Sequence, residues 1–302
     1  MFGIGKKPTV GLALGGGGAK GFAHLGVLEI LEANRIPIHF IAGTSAGSIA
    51  GAMYAQTGSI EVVIDRMNRL LESDFLKKHH LEVMVPPKDW ERQKILQRVG
   101  YFVKQQFVLA RSFTRMSFFG PEVLEEALAE LLDDGDLQDT LIPFGAVAVD
   151  YISGEPILLT KGSIRKAVAA SSTIPGVFPP VQWGDMALVD GGVVSLVPVV
   201  EVRKMGAGFV IGVDVSPGIQ EDLDIRNALE LMFRADEITG YHLNLEKLRQ
   251  ADVVIHPDLG RIHWADFENV PRMIEIGRRA ATEKWPEIQH KWRRKIRRYR
   301  LL

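Results

Sequence analysis

The sequence predicts an α/β fold organised around one mainly parallel sheet with helices on both faces. Three observations carry this expectation. Short apolar runs bounded by Gly or Pro recur along the chain, helix-like stretches separate them, and a strand–loop–helix–strand unit stands near the start. Residues 9–15 form an apolar run ending in glycines, hence a strand followed by a loop. Ala19, Phe22, Ala23, Leu25, Val27, Leu28 and Leu31, closing near Asn34, predict a helix over 19–34. The run 36–42, bounded by Pro37 and Gly43, predicts the next strand and completes a unit that builds parallel sheets.

Helices are then predicted over 45–56, 60–72, 91–107, 121–132, 163–171, 197–205, 223–248 and 269–288. Strands are predicted over 144–149, 156–159, 187–189, 209–213 and 253–255. The stretch 73–120 is the least regular, with Pro86, Pro87, Trp90 and the aromatics Tyr101, Phe102, Phe107, Phe113, Phe118 and Phe119. It reads as an insertion or lid, or alternatively as an ordinary helical layer. Continuous alternation argues for one sheet rather than two domains.

With 302 residues, 46% hydrophobic and 24% charged, the chain can bury a sizeable core. It has no cysteine, which excludes disulfides, thiolate metal sites and a cysteine nucleophile, and fits a reducing cytosol. Residues 1–8 lack the apolar stretch of a signal peptide, and no run reaches the roughly 18 apolar residues of a spanning helix. The expectation is a soluble or peripheral cytoplasmic protein, with contact at the inner membrane face left open. Asp133-Asp134-Gly135-Asp136 lacks the spaced ligands of a calcium loop and reads as a helix-ending turn.

A net charge of −1 hides an asymmetry, because residues 291–300 carry seven basic side chains and no acid. A basic terminus on an acidic body implies an anionic partner. Ile288, Trp292, Ile296 and Tyr299 share one helical face, a pattern that suits an interfacial helix on anionic lipid. A solvated terminal helix is the alternative. Residues 286–302 are therefore set apart as a basic amphipathic tail on a 1–285 body. No fold signal supports nucleic-acid binding, and oligomerisation stays open.

The chemistry centres on Gly43-Thr44-Ser45-Ala46-Gly47. A serine between a strand and a helix, flanked by glycines, holds its hydroxyl above the sheet edge as a nucleophile. The helix N-terminus adds partial positive charge where an oxyanion would develop. Gly15-Gly16-Gly17-Gly18-Ala19-Lys20-Gly21 fails the P-loop pattern, since Gly21 stands where Ser or Thr should be. It satisfies G-x-G-x-x-G through Gly16, Gly18 and Gly21, yet the second strand ends without the carboxylate a dinucleotide needs. Consecutive glycine N–H groups can instead converge on an oxyanion, with Lys20 adding charge nearby.

The eight histidines are His24, His39, His79, His80, His242, His256, His263 and His290, and none sits in a glycine-flanked loop motif. His256, after a strand-like run, is the best base of a weak set. Asp190 is better placed, at a strand end before Gly191 and Gly192. Spacing leaves two readings open there, a hairpin turn or a carboxylate that takes the serine proton directly.

These motifs, in this order, resemble the patatin-like phospholipases. So does 169–180, Ala-Ala-Ser-Ser-Thr-Ile-Pro-Gly-Val-Phe-Pro-Pro, ahead of the aspartate. The resemblance spans about 8–285. It implies a three-layer α/β/α sandwich and a Ser-Asp dyad without histidine, metal or other cofactor. Position by position, it makes Ser45 the nucleophile, Asp190 the proton acceptor, and Gly16, Gly17 and Gly18 the oxyanion donors. Lys20, Gly21, Gly43, Gly47, Gly191 and Gly192 become supporting motif residues. The implied substrates are fatty-acyl esters of phospholipids or lysophospholipids. Two departures stand out: Ser195 where many relatives have Asn, at the expected site wall, and Lys20 where Arg is common. An acyltransferase or thioesterase with the same dyad is the alternative, and a nucleotide- or lipid-binding module lies outside catalysis.

Overall fold

The computed structural model describes residues 8–79, 117–219, 225, 228–260 and 262–299. Among them, eight strands form one sheet in the order β5-β6-β3-β2-β1-β7-β8, with β4 also paired to β3. These are β1 (Val10–Leu14), β2 (Phe40–Thr44), β3 (Phe144–Asp150), β4 (Pro156–Leu159), β5 (Val181–Trp183), β6 (Met186–Asp190), β7 (Phe209–Val213) and β8 (Val253–Ile255). Pairings from β8 through β7, β1 and β2 to β3 are parallel, whereas β3 pairs antiparallel with β4 and β6, and β6 pairs antiparallel with β5.

Strand alternation divides the apolar residues between two cores. Val10, Leu12 and Leu14 of β1 and Phe209, Ile211 and Val213 of β7 enter the larger one. Ala13 and Val210 face the other, with Val199 and Val202. The first is covered by α1 (Ala23–Ala33), α2 (Ala46–Thr57), α3 (Ile60–Glu72) and, beyond the short α4 (Phe75–Lys78), by α5 (Pro121–Leu131) and α6 (Ile164–Ser172). The second lies under α7 (Val199–Lys204) and the end of α8 (Ala228–Leu248). The result is the expected α/β sandwich with a mainly parallel mixed sheet.

Three boundaries differ from the sequence reading. The second strand starts at Phe40, four residues later than expected, because its register is set by neighbours: Gly11 pairs with Phe40 and Phe144 with Ile41. Pro37 has no N–H to give a ladder, and the chain first bonds to β1 at His39, whose N–H donates to the Val10 carbonyl at 2.8 Å. The edge strand β5 was not anticipated, being three residues long behind Pro179 and Pro180. The last helix, α9 (Val270–Tyr299), runs straight through Pro286.

Helix α9 is thus continuous across 285/286. Pro286 sits on the exposed side of α9, where the carbonyl it leaves unpaired is open to water. Beyond it, Ile288 is fully buried and Trp292 packs on Phe209, ring centroids 5.4 Å apart. The apolar face expected to meet lipid is turned onto the sheet. The predicted helix 91–107 and most of the 73–120 segment lie outside the described residues.

Candidate active site

Strand β2 ends at Thr44 and α2 begins at Ala46, so one residue makes the whole turn. That residue, Ser45, takes φ 52° and ψ −124°, a conformation that costs a non-glycine residue about 1–3 kcal/mol. The turn is locked by its neighbours. The Ser45 N–H donates to the carbonyl and to Oγ of Ser171, each at 3.1 Å. The Ser48 hydroxyl donates to the Ser45 carbonyl at 2.7 Å. Gly43 and Gly47 are required by space: a Cβ on Gly43 would stand 2.5 Å from Ser48 Cα, and one on Gly47 would run into the Leu14 carbonyl.

Cross-strand register brings the aspartate to the serine. Thr44 pairs with Val147 in parallel, and the next residue of β3, Ala148, pairs with Asp190 in the antiparallel direction. Ser45, Ala148 and Asp190 therefore stand at one level across three strands. The Ser45 hydroxyl faces the Asp190 carboxylate and favours its charged form, and Asp190 Oδ1 accepts from the Gly192 N–H at 2.7 Å. Asp190 is 5% exposed. Burial pushes its pKa up to about 6, outweighing the Ser45 hydroxyl and the Gly192 N–H, which favour the charged form. The chain after Asp190 forms a 3-10 turn over Gly191–Val193, which disposes of the hairpin reading. A Cβ on Gly191 would collide with the Val147 carbonyl.

The glycine loop is pinned at several points. Gly15 N–H donates to Val213 and Gly16 N–H to Leu196, both at 3.0 Å, and Ala19 N–H donates to Trp264 at 2.6 Å. Gly16 is thus not a spare donor, contrary to the sequence reading. Among the described residues the N–H groups of Gly17 and Gly18 have no acceptor. Gly18, at φ 58°, lines the same cavity as Ser45. Gly21 has no Cβ to strike that of Ala46, so the loop packs directly on the start of α2.

That cavity has a volume of about 200 Å³ and is walled almost wholly by apolar side chains, Ile49, Met67, Leu70, Leu124, Leu131 and Phe178 among them. It opens from the Ser45 hydroxyl between α2, α3 and α5. Its apolar lining suits an apolar group, with the Ser45 hydroxyl among the few polar atoms it meets.

The family model for patatin-like phospholipases matches residues 12–203, nearly two thirds of the chain. The chain belongs to the patatin-like phospholipase family. It is 29% identical over 276 residues to patatin-like phospholipase domain-containing protein 6 of Mus musculus, covering 90% of this chain and 17% of that protein. An uncharacterised NTE family protein of Mycobacterium tuberculosis is 27% identical over 308 residues, covering 93% and 47%. A lysophospholipase of Debaryomyces hansenii is 28% identical over 276 residues, covering 90% and 15%. The chain spans less than half the length of each.

Within this patatin-like frame the departures have concrete consequences. Ser195 is fully buried, donates to Glu201 at 3.0 Å and receives Thr44 Oγ1 on its carbonyl at 2.9 Å. It ties down the end of β2 and does not line the cavity, which corrects its expected place in the site wall. Lys20 is nearly buried away from the cavity lining; desolvation lowers its pKa against the pull of Glu237. His256 Nδ1 lies 3.5 Å from Asp214, which raises its pKa, and His263 Nδ1 accepts the Ala265 N–H at 3.2 Å. Neither is on the cavity wall.

The sequence reading gave no role to Ser171 or Leu196, which help to hold Ser45 and the glycine loop in place. Both act through partners far along the chain, so no local pattern could have marked them. The cavity walls left a weak signal: Met67, Leu70 and Leu71 share one face of α3 at helical spacing.

Proposed function

We propose that this protein is a serine acyl hydrolase that cleaves fatty-acyl esters of phospholipids or lysophospholipids. The carrying observation is the Ser45 hydroxyl set beside a buried Asp190 carboxylate at the head of an apolar cavity. Ser45 Oγ attacks the ester carbonyl carbon as its proton passes to Asp190. The oxyanion accepts hydrogen bonds from the Gly17 and Gly18 N–H groups. Collapse breaks the ester bond, and the lipid alcohol leaves with the proton from Asp190. Water then attacks the acyl-serine, giving its proton to Asp190, and the fatty acid leaves as the serine hydroxyl is restored.

A carboxylate with a pKa near 6 suits this role, being ionised at neutral pH yet more basic than an ordinary aspartate. The names of the mouse and yeast relatives support lipid esters as the substrate class. A fluorophosphonate probe tests the assignment: it should label Ser45 once, and Ser45→Ala should lose both the label and hydrolysis of a chromogenic acyl ester. Labelling of a different serine would refute it, and ester hydrolysis retained by the alanine variant would do the same.

Peripheral contact with an anionic membrane on the cytoplasmic side is proposed through charge alone. Arg293, Arg294, Arg297 and Arg298 are exposed on α9, while Lys291 and Lys295 are engaged by Asp252. This end of α9 lies beside Gly208 and Phe209, where β7 begins, whereas Ser45 follows the end of β2. The two are separated by the strand length, roughly 15 Å. A surface bound there faces away from the cavity, so the contact is a tether and substrate enters from the opposite side.

A further inference from the structure

The glycine loop can offer N–H groups to an oxyanion only if its peptide planes stand one way round. Glycine imposes no such preference, because it populates both signs of φ at similar cost. Something outside the loop must set the planes. The Gly15–Gly16 peptide is gripped at both ends: the Gly16 N–H donates to the Leu196 carbonyl at 3.0 Å, and the Gly15 carbonyl accepts from His24 Nε2 at 2.7 Å.

A carbonyl only accepts, so the proton must sit on Nε2. His24 comes from the first turn of α1 and is fully buried. Among the described residues it is the one side chain that hydrogen-bonds the backbone of residues 15–18. Its second nitrogen, Nδ1, is buried without a partner among those residues. A buried acceptor left unpaired is costly, and an apolar side chain would fill the same core position without that cost. Burial keeps the ring neutral, with a pKa of about 4, despite the Gly15 carbonyl and the Asp214 carboxylate that favour its charged form.

We infer that His24 is a positioning residue for the oxyanion donors: it clamps the Gly15–Gly16 peptide from the carbonyl side, so that the next two N–H groups, on Gly17 and Gly18, keep one orientation and stay available to an oxyanion. The inference rests on the acyl-hydrolase reading above. His24 touches no reacting atom and acts only through the loop. The glycines that let the backbone approach a substrate also leave it free to turn over, and the imidazole removes that freedom.

Two variants separate clamp from filler. His24→Leu removes the donor at similar bulk, and His24→Gln presents an amide N–H in place of Nε2. On a soluble short-chain ester the leucine variant should lose about 30- to 100-fold in kcat, less than deleting a donor outright. KM should stay within about twofold, because the donors act on the transition state. The glutamine variant should recover to within about fivefold of wild type. Amide hydrogen exchange at Gly16 and Gly17 should quicken in the leucine variant, and this readout needs no activity.

A wild type that cleaves no acyl ester would defeat the hydrolase reading while leaving the exchange measurement in force. Equal losses in both variants would overturn the clamp. So would a folded His24→Leu protein with wild-type kcat and unchanged exchange. If neither variant folds, nitrogen-15 NMR of the wild type at neutral pH decides. Protonated Nε2 with bare Nδ1 upholds the clamp, and the Nδ1–H tautomer overturns it.

Discussion

The two poles of the central sheet are built in opposite ways. Where β1 and β2 end, a serine is held at positive φ, a carboxylate is buried beside it, and two glycine N–H groups lack acceptors among the described residues. Where β7 begins, the end of α9 is laid down by ordinary packing, with Ile288 fully buried, Trp292 on Phe209, and arginines turned to water. The strained serine, buried carboxylate and open amides of the first pole lower stability, whereas the burial of Ile288 and Trp292 at the second raises it. Strain and buried charge persist at the first because the surrounding strands over-determine them. Chemistry and stability are thus separated along the strand direction, and substitutions at the two poles should have opposite consequences.

The largest effect belongs to Ser45. Ser45→Gly should abolish ester hydrolysis, a loss of at least about 10⁴-fold in kcat, because the nucleophile is gone. The same change should raise the unfolding free energy by about 1 kcal/mol, since glycine takes φ 52° without strain. A glycine variant less stable than wild type in a denaturant melt would contradict the strained-elbow account.

Asp190→Asn follows, with an expected loss of about 10³-fold in kcat while His256→Gln stays within about threefold. In the wild type kcat/KM should rise with pH and level off above about 6, the pKa to which burial lifts Asp190. The stability consequence has the opposite sign. A raised carboxylate pKa means that the folded state holds its proton more tightly than the unfolded chain. Its contribution is therefore fully present below the ordinary aspartate range and is lost as pH climbs to about 6. Asp190→Asn should consequently be more stable at pH 7, by about 1–3 kcal/mol. A pH–rate profile flat between 5 and 8 would defeat the assignment of Asp190 as base.

At the other pole, Ile288→Ala should cost about 3 kcal/mol of stability by opening a cavity in the core. Activity per folded molecule should remain within about twofold of wild type, because no cavity or loop residue is touched. A kcat loss comparable to that at Asp190 would show that the poles are coupled. The smallest effect is expected for Arg293, Arg294, Arg297 and Arg298 changed together to Gln. Stability should move by less than about 0.5 kcal/mol per residue and hydrolysis of a soluble ester hardly at all. Co-sedimentation with phosphatidylserine vesicles should fall, and wild-type binding should weaken as salt rises. Equal sedimentation of both proteins at low salt would remove the tether.

Much of the active-site pole was legible in the sequence because its requirements are local. A one-residue turn between strand and helix leaves the pattern Gly43-Thr44-Ser45-Ala46-Gly47, since a Cβ at either glycine meets backbone. The start of β2 was misplaced because parallel register depends on strands distant in the chain, and the run 36–42 has no marker for where pairing begins. The partner of the C-terminal helix face is hidden from the sequence for a related reason. An amphipathic face shows that Ile288 and Trp292 need an apolar neighbour, but lipid and the residues at the start of β7 satisfy that need alike.

By itself the sequence determined the alternation of strands and helices, the glycine-flanked serine and the glycine loop, each of which follows from backbone sterics within a few residues. Where Asp190 lies is open in the sequence between a hairpin turn and a place beside the serine. Only the tertiary structure sets its place, by pairing Thr44 with Val147 and Ala148 with Asp190. It likewise decided that Leu196 takes the Gly16 N–H and His24 the Gly15 carbonyl, leaving the next two amides without acceptors. These are contacts between residues brought together by strand order and register, and a hydrogen bond across the sheet leaves no periodic trace in the chain that makes it.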